Sequence, residues 1–198
     1  ASNNPNYGQN NYKKHYLENL QNSKNLINFS SNLGKKINFI SCSSSRIFKK
    51  RKGTVNEKSN VYNSDYYSKF RIEINDYLLK VSKKNKKFSF TNVILFNHDS
   101  ALRNKKFLLP RVTKAIKNKN KIFLNQIIKE NIVMDFSHAD DICDALIKLI
   151  FLKDKINNII LSSGKQTYLN DVIKFLIKKN NINLNLNFDL IKKNHCII

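Results

Sequence analysis

Tryptophan is absent from the 198 residues, and glycine (four), proline (two) and methionine (one) are scarce. The three cysteines, Cys42, Cys143 and Cys196, lie far apart and form no C-x-x-C pair. That spacing argues against a zinc site or a disulfide framework, so a reducing, cytoplasmic compartment and no metal are expected. Long apolar runs are missing too. The longest, Ala145 to Leu152, is interrupted by Lys148 and is far too short to span a bilayer, so no membrane partner is expected. The opening ASNNPNYGQNNYKKHY lacks the apolar stretch of a secretory signal, and Ala rather than Met at position 1 suggests a processed product or a fragment. The glycines are isolated, with no G-x-x-G-x-x-G or G-x-G-x-x-G cluster. A dinucleotide fold needs such a turn after its first strand, where the pyrophosphate meets a helix N-terminus. The segment carrying it is not in this chain.

Acidic residues are also few: 14 Asp and Glu against 36 Lys and Arg, a net charge of +22. Such a charge predicts attraction to polyanions such as nucleic acid or anionic lipid. An AT-rich coding sequence would enrich Lys, Asn and Ile together and give the same charge without a binding surface. The lysines are spread along the chain (Lys35, Lys36, Lys49, Lys50, Lys83, Lys84, Lys86, Lys87, Lys178, Lys179), which favours that explanation. A hydrophobic fraction of 41% is enough for a core, and the length suits one domain.

Residues 1–14 show no periodicity and read as loop. A broken helical face runs from about Tyr16 to Leu33, with Gly34 as its stop. Ile37 to Ile40 reads as a short buried strand ending in the serine cluster Ser43 to Ser45, and residues 46–60 read as a basic loop. A helix is expected over 64–82, a strand over Phe88–Phe96 and a helix over about 107–118. Short strands are expected at 121–124 and 132–135, a helix over His138–Leu152, a strand at 158–161 and a helix over 169–179. The tail from Asn180 alternates Asn with Ile or Leu and is open between strand and coil. Strands alternating with helices imply an α/β fold with a parallel sheet.

Five blocks carry a family resemblance. Leu95-Phe96-Asn97-His98-Asp99-Ser100-Ala101-Leu102-Arg103 resembles the L-F-N-H-E-S-P-R-R signature of GDP-mannose 4,6-dehydratases, and Phe107 to Ile116 resembles the family's F-V-T-R-K-I-T-R-A-I at the same spacing. Asp135-Phe136-Ser137-His138-Ala139-Asp140-Asp141 resembles D-W-G-H-A-K-D. Ile160 to Thr167 resembles I-A-T-G-x-x-x-S, and Cys42 to Phe48 resembles A-S-T-S-E-L-Y. Their order and spacing hold over about residues 5–188. The resemblance implies a partial Rossmann-like parallel sheet lacking its first strands and glycine loop, plus a small C-terminal substrate subdomain. Residues 1–97 would be the rear of the core, and residues 98–198 would mix substrate-side and last core elements within a single incomplete domain. A sheet in that state would expose an edge and an apolar face.

The same resemblance implies an NADP-dependent lyase acting on a nucleotide sugar of the GDP-mannose type, as a homo-oligomer when intact. Sugar oxidation needs a phenolate base lowered by a lysine one helical turn on, and a hydroxyl on the substrate oxygen. Elimination needs a carboxylate. Ser44 holds the hydroxyl position and Lys69 the lysine position. Four residues before Lys69 stands Asp65 instead of tyrosine, with Tyr66 adjacent as the replacement candidate. The carboxylate position holds Arg46, and a diphosphate-gripping arginine is replaced by Met134. Ser43, Lys69 and Asn97 are the implied cofactor contacts, and Asn97 and Arg111 the substrate contacts, with Arg103 and Lys114 as further cations nearby in sequence. Three departures in the chemical set make family membership better supported than turnover.

Two other chemistries are weaker. Asn97-His98-Asp99-Ser100 contains Ser, His and Asp, but neighbours on an extended segment point to opposite sides and cannot form a hydrolase triad. His138 with Asp140 and Asp141 could suggest a metal. A helix capped by Ser137, with both acids in its first turn, is the simpler account. Two alternatives remain at the level of function. One is a non-catalytic relative acting in assembly; the other is a basic nucleic-acid-binding protein, which the lack of an RNP-like aromatic segment disfavours.

Overall fold

A computed structural model describes residues 12–48, 53–152, 156–188 and 196–197. Residues 1–11 of the loop expected over 1–14, the basic segment 49–52 and most of the tail beyond 188 lie outside them. In chain order the elements are α1 (Tyr12–Ser31), β1 (Ile37–Ser44), a 3-10 turn (Ser45–Ile47), α2 (Tyr66–Lys84), β2 (Phe88–Leu95) and β3 (Asn97–Asp99). There follow α3 (Leu108–Lys117), α4 (Lys121–Glu130), β4 (Ile132–His138), α5 (Ala139–Ile150), β5 (Asn158–Leu161), β6 (Gln166–Tyr168), α6 (Leu169–Lys179) and β7 (Cys196–Ile197). They form two compact units. Of the described residues, one unit holds 12–48, 53–95, 145–152 and 156–161, and the other holds 96–144, 162–188 and 196–197.

The first unit is a parallel sheet in the order β1-β2-β5, as the alternating pattern predicts. Its middle strand is buried on both faces, with Phe88, Phe90, Val93 and Ile94 all at or below 3% exposure. Asn92, buried in the same strand, is satisfied by donating its side-chain amide to Asn158 Oδ1 (2.9 Å). α2 starts where Asp65 and Ser68 form a reciprocal capping box, and it ends with Lys83 and Lys84 in its last turn. One turn apart, Phe70, Ile74 and Leu78 face inward and pack with Tyr16 and Ile27 of α1 and with Phe88 and Phe90. Side chains meet backbone groups of both outer strands: Arg71 donates to Cys42 O (2.7 Å), and Glu57 accepts the Ile160 N–H (3.0 Å). Cys42 and Cys143 are free thiols.

The second unit packs α3, α4 and α6 with a mixed sheet in the order β3-β4-β6, in which β7 also pairs with β4. β3 runs parallel to β4, while β6 runs antiparallel to it. Its core holds Val112, Ile116, Leu124, Ile128, Met134, Leu169 and Ile173. Beyond α6, residues 181–188 alternate exposed and half-buried, and Ile182, Leu184, Leu186 and Phe188 pack on that core without joining a ladder.

Several boundaries differ from the sequence expectation. α1 begins at Tyr12, inside the expected loop, because its inward face starts only at Tyr16. β1 runs on to Ser44 and takes in the serines, which pair through their backbones with Ile94 and Leu95. The strand expected at 121–124 is instead the first turn of α4. Asn120 caps it by accepting the Phe123 N–H (3.1 Å), Asn131 ends it at φ 44°, and the buried Leu124 and Ile128 are one turn apart. Ser137 does not cap α5: it lies inside β4, and the His138 ring nitrogen takes the Asp140 N–H (3.3 Å). Asp140 and Asp141 do occupy the first turn of α5.

Leu78→Ala should cost about 2–5 kcal/mol in urea unfolding, because this side chain is fully buried. Ile122→Ala, at a position 77% exposed on α4, should stay within about 0.5 kcal/mol of the parent.

Candidate functional site

In an open parallel sheet, the carboxyl ends of the strands are where ligands bind. β1 delivers Ser43 and Ser44 to that end. Ser43 is 5% exposed and its hydroxyl has no protein partner. Ser44 leaves the strand and caps the 3-10 turn, its hydroxyl accepting the Arg46 N–H (3.3 Å). The turn aims Arg46 at the N-terminus of α2, where its guanidinium bonds the Asp65 carboxylate. The two residues that depart from the resemblance in the reacting set are therefore bonded to each other. Arg46 also lies over the Tyr67 ring at 5.6 Å, and Arg71 lies over the same ring at 5.1 Å.

Asp65 is held from several sides. Burial alone would raise its pKa. The Ser68 backbone N–H, the Ser68 hydroxyl, the Arg46 guanidinium and the Tyr67 N–H together outweigh burial, so the group sits below the ordinary carboxylate value.

One turn into α2, the Lys69 ammonium lies 3.8 Å from Glu73 Oε1 and 5.2 Å from the centre of the Tyr16 ring. Tyr16, from α1, donates its hydroxyl to the Glu73 carboxylate at 2.8 Å. Tyr66 places its ring 5.5 Å from that of Tyr16. The tyrosine nearest in role to the expected base is thus Tyr16, reached across 57 positions of sequence. Its pKa is pushed up to about 12 by burial, then by its bond to Glu73, by the Glu73 charge and by Tyr66. A phenol raised in this way does not ionise near neutral pH, the reverse of what a proton-abstracting tyrosine requires. A depression of about 270 Å³ lies beside this cluster, lined by Val61, Tyr62, Asn63, Lys69, Ile72 and Glu73.

Asn97 and Arg111 belong to the second unit. Asn97 opens β3 opposite Phe136, and Arg111 is exposed on the first turns of α3 with its guanidinium 5.0 Å from the Phe123 ring centre. Arg103 stacks at 3.5 Å over Phe107, and its buried Nε has no partner. Met134 is 3% exposed and sits in the core of the unit, so this position contributes packing. Beside it, Asp135 accepts the Ser163 N–H (2.7 Å), the Ser163 hydroxyl (2.8 Å) and the Gly164 N–H (2.8 Å). Gly164 takes φ +69°, a backbone shape that favours glycine. His98 and Asp99 are engaged locally, with Phe96 O and the Ser100 N–H. Among the described residues, no three His, Cys, Asp or Glu gather as a metal site, and no helix is long and apolar enough to cross a membrane.

Of the residues the resemblance names, Ser43 and Ser44 end β1, and Tyr66 and Lys69 stand on the first turn of α2, all in the first unit. Sequence reasoning missed Tyr16 and Glu73. Glu73 was legible as the i,i+4 partner of Lys69. Arg46 and Asp65 were legible as two departures of opposite charge. Tyr16 left no local signal.

A dinucleotide needs a close backbone approach for its pyrophosphate. Gly34, Gly53 and Gly164 stand alone, and the described residues form no glycine cradle. The orphan hydroxyl of Ser43 fits one polar cofactor contact, but the pyrophosphate finds no fit in the described residues.

A family model described as GDP-mannose 4,6 dehydratase matches residues 16–195. No curated protein matches the chain. Among solved structures, the UDP-glucuronic acid 4-epimerase from Bacillus cereus in complex with NAD is 15% identical with a TM-score of 0.77, over 98% of this chain and 61% of that one. The UDP-N-acetylglucosamine 4-epimerase from Methanobrevibacter ruminantium, in complex with UDP-N-acetylmuramic acid, is 16% identical with a TM-score of 0.74, over 88% and 56%. An NAD-dependent NDP-hexosamine 5,6-dehydratase involved in tunicamycin biosynthesis is 16% identical with a TM-score of 0.73, over 89% and 58%. These likenesses establish a Rossmann-like fold, and the chain spans between 56% and 61% of the length of these three structures.

The Asp65 pKa shift has a signed consequence. A carboxyl held low in the folded state stabilises it above the unfolded pKa, near pH 4, and that stability is lost as pH falls through the folded value. Asp65→Asn keeps a capping side chain but no charge. The variant should be less stable than the parent at pH 7, and the gap in urea midpoint should close as pH drops below about 4.

Proposed function

The chain belongs to the GDP-mannose 4,6-dehydratase family, and from that premise we propose that it handles a nucleotide sugar of the GDP-mannose type without dehydrating it. The observation that carries this reading is the bond between Arg46 and Asp65. The two positions where the resemblance calls for an eliminating carboxylate and a phenol base hold a guanidinium and a carboxylate that neutralise each other. Neither can do the other's work: a guanidinium stays protonated at neutral pH, and a carboxylate held low by four donors is a weak base. Lys69 is paired with Glu73, and the Tyr16 phenol beside it is pushed up in pKa by burial and by its bond to Glu73.

Substrate handling falls to Asn97 and Arg111, with Arg103 adding a cation whose Nε is still without a partner. Arg111 on its helix can pair with a diphosphate in the forked geometry that guanidinium allows. NADP is the dinucleotide implied by the resemblance, with Ser43 and Lys69 of the first unit as its contacts there. Ser44 and Lys69 keep the side-chain types of the catalytic set. Ser44 already accepts the Arg46 N–H, and Tyr66 is turned toward the Tyr16 ring.

GDP-mannose titrated calorimetrically into the protein, with NADP present, should bind saturably, while chromatography of the same mixture should show no 4-keto-6-deoxy sugar. Product formed by the parent chain would overturn the loss of turnover. Lack of any binding would overturn the substrate assignment.

A further inference from the structure

Two stretches of the sequence contain no acidic residue: between Glu18 and Glu57, and between Asp76 and Asp99. Within them Lys35 and Lys36 precede β1, while Lys83, Lys84, Lys86 and Lys87 precede β2, and all six are exposed. The parallel register pairs Ile37 with Phe88, so both strands start at the same end of the sheet. Two contacts tie the approaches together: Lys87 Nζ donates to Gly34 O (3.0 Å), and Asn85 Nδ2 donates to Ser31 O (2.6 Å). Compositional bias sets how many lysines the chain has. The strand register sets where these six meet.

The patch has an apolar margin. Leu26, Phe29 and Leu33 are 55%, 66% and 45% exposed at the end of α1 and just beyond it. The spacing of three and four residues puts them on one side of the helix line, away from the buried Ile27.

We propose that this end of the sheet docks reversibly on an anionic lipid surface. Clustered ammonium groups are drawn to acidic headgroups, and neighbouring Phe and Leu side chains enter the boundary below them. The shortage of long apolar runs bears on spanning a bilayer and leaves surface adsorption untouched. Lipid fits better than nucleic acid because the six cations are all lysine. The patch has no arginine to fork onto phosphates or bases, and its apolar margin is mostly aliphatic, whereas stacking platforms are aromatic. Each lysine at the surface is worth about fivefold in partitioning.

The test is sedimentation of the full chain with phosphatidylcholine vesicles, with and without about a third phosphatidylserine. Binding should need the anionic lipid and weaken with salt. Replacing Lys35, Lys36, Lys86 and Lys87 by Gln should reduce it by roughly several hundredfold. Removing the same charge from the second unit (Lys105, Lys117, Lys121 and Lys129 to Gln) should reduce it far less. Phe29→Ser should lower binding several-fold without changing its salt dependence, and it stands as the independent test if the lysine variant fails to fold. Equal losses in the two lysine variants, no binding by the parent, or binding to an RNA homopolymer in place of vesicles would each overturn the proposal.

Discussion

The Asp65 carboxylate is bound from two directions. From its own helix it accepts the Ser68 N–H and so starts α2; from the end of β1 it receives the Arg46 guanidinium. The register of α2 follows from that start. It carries Phe70, Ile74 and Leu78 into the core of the first unit and brings Lys69 and Glu73 to Tyr16 of α1. A residue so placed is committed electrostatically. It caps the helix and pairs with Arg46 at once as a carboxylate, and as a carboxylate held low it takes up no proton near neutral pH.

Elsewhere the scarce acids work in the same way. Glu73 takes the Tyr16 phenol, Glu57 takes the Ile160 N–H, and Asp135 gathers three donors from Ser163 and Gly164. With 14 acids among 36 strong bases, carboxylates serve as acceptors that close loops and fix helices. The excess positive charge is left on exposed lysines, where it is hydrated and screened. The Arg46–Asp65 pair follows the same division, joining the end of β1 to the start of α2.

Much of the fold was legible from pattern. β2 is a run of apolar and β-branched residues because it is buried on both faces, and α3 and α6 show inward positions one turn apart. α4 was not legible. Its first four residues read as a strand, and the turn that shows the helical period, Leu124 to Ile128, lies beyond them. β3 and β6 are three residues long, so their pairing with β4 is a property of the second unit rather than of local sequence. In the site, Ser44, Lys69, Arg46 and Asp65 could be named from the family resemblance. Their mutual bonds could not, since Arg46 and Asp65 are 19 positions apart and Tyr16 and Glu73 are 57 apart.

By itself the sequence determined the class of fold, the family and the identity of the altered positions, because these rest on local periodicity and on the order of short blocks. Only the tertiary structure decided what the alterations do. It joined Arg46 to Asp65, turned Met134 into the core and placed Tyr16 against Glu73 and Lys69. The physical reason is range. Backbone preference and side-chain period act over a few residues, whereas the energy of an ion pair or a buried phenol depends on which groups packing brings within a few ångströms.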